Sequence, residues 1–82
     1  MPDPDLYAWI GEDEYNRNGI GLKEALVPAG RVPMVATKIE KMDRGTIVAQ
    51  LQHQSDHYGK PIRLVRYVAT ETIVILTPRP QG

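Results

Sequence analysis

The sequence predicts an α+β domain: one mostly antiparallel sheet of about four strands, with a single main helix over about residues 44–58 packed on it. Three observations carry this. The stretch "RGTIVAQLQHQSDHY" sets Ile47, Val48, Leu51, Ser55 and Tyr58 on one stripe at helical spacing. Runs rich in β-branched and aromatic residues lie before and after it. And 82 residues that are 41% hydrophobic, without a repeat or a low-complexity tract, suit one modest core, so residues 1–82 form a single domain.

The elements follow in order. Residues 1–5, "MPDPD", are a Pro/Asp lead-in expected to be loose, as is the tail at 78–82. Leu6 to Ile10 reads as a strand with Tyr7 and Trp9 on one face and Leu6, Ala8 and Ile10 on the other. Both faces are apolar or aromatic, so both should be covered. Residues 11–21 form a long loop. "GLKEALVPAG" fits a helical turn and an irregular strand equally, because Leu22 and Leu26 are four apart while Pro28 and Gly30 close the segment quickly. "PAGR" is a turn. "VPMVATKIE" reads as a strand whose Pro33 belongs at an edge or a bulge. Asp43 is placed to cap the helix, and Gly59 and Pro61 to end it. "PIRLVRYV" and "TIVIL" are strands, with "ATET" suggesting a hairpin between them.

Composition excludes several functions. There is no cysteine, hence no disulfide staple and no thiolate metal site, and an intracellular home is expected. No leader with a basic start and an apolar run is visible, and no apolar run approaches the roughly 18 residues of a membrane span. Net charge is zero but unevenly placed. Residues 1–16 hold five acids and no base, while residues 38–66 hold six bases against three acids. These regions solvate opposite surfaces, or attract each other within one fold or between two copies.

The stretch "WIGEDEYNRNGIG" is the candidate site. As a calcium loop, Glu14-x-Asn16-x-Asn18-Gly19 imitates the first ligand positions, but the bidentate carboxylate position falls on Ala25. As a phosphate loop, "GIG" lacks its third glycine, and no Gly-Lys-Ser/Thr step exists. Turn geometry accounts for Asn18, Gly19 and Gly21. What is left is a contact surface: Trp9 and Tyr15 as anchors around Glu12, Asp13 and Glu14.

His53 and His57 share helical metal spacing, but too few other ligands exist to complete a site, so no metal is expected. Ser55, the lone serine, has no interpretable base, which argues against catalysis, and no cofactor is implied. Lys60, Arg63 and Arg66 near Tyr58 and Tyr67 raise nucleic-acid binding, but Arg63 and Arg66 alternate across a strand and net charge is neutral. A cleft beside Gly30 and Arg31, or between protomers, with Arg31, Arg63 or Arg66 holding an anionic nucleotide, is the alternative ligand site.

"YAWIGEDE", "GIGLKEALVPAGRVPMVA" and "YGKPIRLVRY" together resemble small accessory proteins carried by tailed phages and prophages, over most of the chain. The resemblance implies a compact protein made in a bacterial cytoplasm that binds and blocks a host component, including defence complexes, or sequesters a signal molecule. It brings no site residue with it. The expected function is thus a non-enzymatic binding protein that engages a host protein through the 9–21 loop. Self-association is a further expectation, since a short chain with an exposed edge strand gains burial by pairing.

Overall fold

The computed structural model describes residues 3–12 and 19–80. Its elements are β1 (Leu6–Glu12), β2 (Ile20–Leu22), β3 (Glu24–Val27), β4 (Gly30–Pro33), β5 (Val35–Ala36), a 3₁₀ turn (Ile39–Lys41), α1 (Gly45–Tyr58) and β6 (Ile62–Tyr67). The molecule is the small α+β domain the sequence predicts, with one main helix and antiparallel sheets.

Strand β1 is central. Along one edge it pairs antiparallel with β6, from Leu6 opposite Tyr67 to Gly11 opposite Ile62. Its other edge is shared end to end by β2, which pairs with Ile10–Glu12, and β5, which pairs with Tyr7 and Ala8. Between β2 and β5 the chain leaves the sheet as the two-stranded hairpin β3–β4, turning at Pro28 and Ala29. The base of this hairpin is stitched to β1. Lys23 N–H donates to Trp9 O at 2.8 Å, Trp9 N–H to Met34 O at 3.0 Å, and Met34 N–H to Lys23 O at 2.8 Å.

The segment 19–27, open between helix and strand, is therefore strand over 20–22 and 24–27, and the single strand expected over 32–40 is a correction. It breaks at Met34, where the backbone changes partner from β3 to β1, and Ile39–Lys41 are helical. A change of partner leaves no mark in local periodicity.

The core lies between the sheet and α1. Ala25, Met34, Met42, Ile47 and Leu51 are buried there, ringed by Tyr7, Trp9, Ile62 and Leu64. The helix stripe is narrower than its spacing predicts: Ile47 and Leu51 are buried, whereas Val48 and Tyr58 are exposed. The predicted cap is also corrected. Arg44 occupies the N-cap position without a side-chain cap bond, because the 3₁₀ turn runs on through Asp43 N–H to Ile39 O and places Asp43 one residue early. The helix end is as expected. Gly59 is left-handed at φ 65°, a conformation glycine takes without a Cβ penalty, and its N–H donates to Ser55 O. Two glutamines on α1 hold the hairpin. Gln50 accepts from Leu26 N–H and donates to Leu26 O, both at 2.8 Å, and Gln54 donates to Glu24 O.

Residues 68–80 form no strand, and every one of them is exposed. The hairpin expected between 62–68 and 72–76 is absent. The linker Val68-Ala69-Thr70-Glu71 has no Gly, Asn, Asp or Pro to turn the chain, and two of its residues are β-branched. The radius of gyration, 15.7 Å, reflects this arm; a compact chain of this length has about 12 Å.

Candidate interaction surface

Strand alternation gives the sheet two faces. Tyr7 and Trp9 look toward α1, with Ile62, Leu64 and Ala36 beside them in the register. The other face carries Leu6, Ala8 and Ile10 of β1. The register sets Leu22 and Arg63 on either side of Ile10, Val35 and Val65 on either side of Ala8, and Tyr67 beside Leu6. Ile20 extends the row opposite Glu12. Ala8 and Ile10 are buried among these neighbours, while Leu6, Ile20, Leu22, Val35 and Tyr67 are between 37 and 69% exposed. The helix core lies on the opposite side, against Tyr7 and Trp9. The expectation that both faces of β1 are covered is met at Ala8 and Ile10 themselves, while the flanking Leu6, Leu22, Val35 and Tyr67 are left part-exposed.

The sequence-derived contact residues separate. Trp9 lies in β1 rather than in a loop, on the helix-facing side, and its indole Nε1–H donates to Met42 O at 2.7 Å. It is a core residue with a satisfied polar tip, and not an exposed anchor. Glu12 ends β1 and accepts from Lys60 Nζ at 2.8 Å, with both side chains 39–48% exposed. Asp13, Glu14 and Tyr15 lie outside the described residues, as do Asn16 and Asn18. The connection they belong to leaves β1 and enters β2 at the Glu12/Ile20 end of the part-exposed face.

The alternative ligand residues are not gathered. Arg31 sits on β4, opposite Leu26, in the two-stranded sheet. Arg63 and Arg66 point to opposite faces of β6, and Arg66 lies 3.9 Å from Asp5. A shallow cleft lined by Glu12, Lys23, Gln54, Tyr58, Lys60, Pro61 and Ile62 holds about one water molecule, far short of a nucleotide. Lys23 is buried there, its stem crossing Gly11 and its Nζ donating to Glu12 O at 2.9 Å. Ser55 Oγ donates to Lys60 O and so serves the helix end. His53 and His57 are exposed, and no group of three potential metal ligands exists among the described residues. No helix among them is long and apolar enough to cross a membrane.

Two features escaped the sequence reading: the part-exposed apolar sheet face and the exposed arm. The doubled apolar character of Leu6–Ile10 signals the first, and the missing turn residues at 68–71 signal the second. No family model, curated protein or solved structure matches the chain.

Proposed function

We propose that this chain is a non-enzymatic binding protein of the phage and prophage accessory kind, which acts in the bacterial cytoplasm by engaging a host protein. The observation that carries the reading is the part-exposed sheet face. Leu6, Ile20, Leu22, Val35 and Tyr67 form a contiguous apolar row on a small domain, and such a row bordered by charge is how protein contact sites present themselves. Glu12, at the end of β1, supplies charge at the border and favours a partner with basic residues around an apolar centre. Blocking a host component, a defence complex among them, is what such contact achieves without chemistry.

The test is affinity capture from a bacterial cytoplasm with three baits: the unaltered chain, Leu22→Lys, and the joint reversal of Glu12, Asp13 and Glu14 to Lys. The expected result is one stoichiometric protein partner held by the first bait and lost with each variant, at unchanged melting temperature. A partner held equally by all three, or no stoichiometric partner, overturns the reading.

A further inference from the structure

We infer that the arm beyond β6 is a strand exchanged between two copies of this chain. The free edges of the sheet are unequal. On the β2/β5 side the edge is short and interrupted by the departing hairpin, which blunts it. On the other side β6 offers six consecutive residues whose outer edge pairs with no described strand. The chain that leaves this edge carries Ile73, Val74, Ile75 and Leu76 at 68–90% exposure, a β-branched run with nothing over it. An open strand edge and an unpaired apolar strand, both in one chain, are complementary halves of one contact.

The sequence states the register. Residues 62–77 contain no proline and are bounded by Pro61 and Pro78, which cannot donate to a ladder. Laid antiparallel on itself, this stretch pairs Ile62 with Thr77, Leu64 with Ile75 and Val65 with Val74, and sets Pro61 opposite Pro78. Both ends of the ladder then stop together. Ile73 and Ile75 continue the helix-facing side of β6, and Val74 continues the side of Val65. Arg66 gains Glu71 of the second copy as a diagonal neighbour.

The same pairs could form within one chain, as a hairpin turning at 69–70. The linker decides between the two. Val68-Ala69-Thr70-Glu71 lacks a residue suited to positive φ, so the arm does not fold back and instead meets the β6 of another copy. The arrangement is two-fold and closed, each copy giving one arm and receiving one. It uses the sheet's edge and leaves its apolar face free, so it stands or falls separately from partner binding there.

Light scattering of the full chain after size exclusion should give twice the 9.2 kDa chain mass. Ala69→Asn combined with Thr70→Gly supplies the two-residue hairpin turn at the same register, and should give a monomer that keeps amide protection at 72–77. Val74→Asp should give a folded monomer without that protection. In a mixture of labelled and unlabelled unaltered chains, nuclear Overhauser contacts should run from 72–76 of one copy to 62–67 of the other. A monomeric unaltered chain, contacts confined to one chain, or a dimer that survives either substitution would overturn the exchange. Capture of a host protein by the monomeric variants tests the functional proposal by itself, whichever way the mass of the unaltered chain comes out.

Discussion

The two faces of β1 are built from similar material and meet different surroundings. Tyr7 and Trp9 look into a core closed by Ile47 and Leu51 of α1, while Leu6, Ala8 and Ile10 look to the other side, flanked by Leu22, Val35, Val65 and Tyr67. On β1 itself Ala8 and Ile10 are as buried as the core, and Tyr7 and Trp9 are half-buried; the difference lies in the residues around them. Leu51 is 2% exposed, whereas Leu22 is 49% exposed. Apolar patterning on a strand records that both faces lose water, and among the described residues flanking β1 the margins of the outer face keep the most exposure.

The sharpest way to break this contrast is to truncate one leucine on each side. Leu51→Ala opens a cavity in the only layer between helix and sheet, and should cost about 2–5 kcal/mol in urea unfolding. Leu22→Ser should stay within about 0.5 kcal/mol, since half of that side chain is already in water. Similar costs for the two would mean that the outer face is packed like a core. A loss of partner capture with Leu22→Ser alone would sharpen the division of labour: one face for folding, the other for contact.

Trp9 tests the contrast from within one residue. It was the natural anchor for a binding loop, yet its indole N–H is spent on Met42 O, 33 residues away along the chain. Trp9→Phe removes the donor and leaves that carbonyl without it, at a cost of about 1–3 kcal/mol. Chemical denaturation should register the loss, and partner capture by the still-folded variant should be unchanged. Weakened capture at unaltered stability would return Trp9 to the contact surface.

The parts of the fold legible in the sequence were those fixed by near neighbours. Helical spacing over about 44–58, Gly59 with Pro61, and the β-branched run of β6 are local signals, and the helix (Gly45–Tyr58) and strand stand within a residue of where they place them. What escaped depends on residues far apart. Gln50 and Gln54 look like ordinary polar helix positions, yet they hold the backbone of Leu26 and Glu24. Met34 ends one strand and begins another because its backbone must bond both Trp9 and Lys23. Of the acidic site, Glu12 was expected in the 11–21 loop and instead ends β1. Its pairing with Lys60, 48 residues on, could not be read locally.

Gly11 sharpens the comparison at smaller scale. It is the last helix-facing position of β1, and the Lys23 stem fills the space a side chain would take. A Cβ added there would meet Lys23 Cε at 2.7 Å and the Pro61 carbonyl oxygen at 3.3 Å. The lysine tip can move but the backbone oxygen cannot, so Gly11→Ala should cost about 1 kcal/mol, at the low end for overpacking. Thermal unfolding reads this directly. A neutral result would show that Lys23 is not held over the strand and that this end of the inner face is loose.

The smallest effect belongs to Glu12, where the two faces meet at the end of the sheet. Its bond to Lys60 joins the last residue of β1 to the approach to β6, but both side chains are 39–48% exposed. Water and salt screen such a pair, and holding two flexible side chains offsets part of the attraction. Glu12→Gln should therefore lower the unfolding free energy in urea by less than about 0.5 kcal/mol at low salt, and by nothing measurable at high salt. A larger, salt-independent cost would mean that this pair, rather than the β1–β6 ladder, closes that end of the sheet. The same variant separates the roles of the charge. If stability is unmoved while partner capture falls, the carboxylate serves the rim of the part-exposed face, and its bond to Lys60 only keeps it in place until a partner arrives.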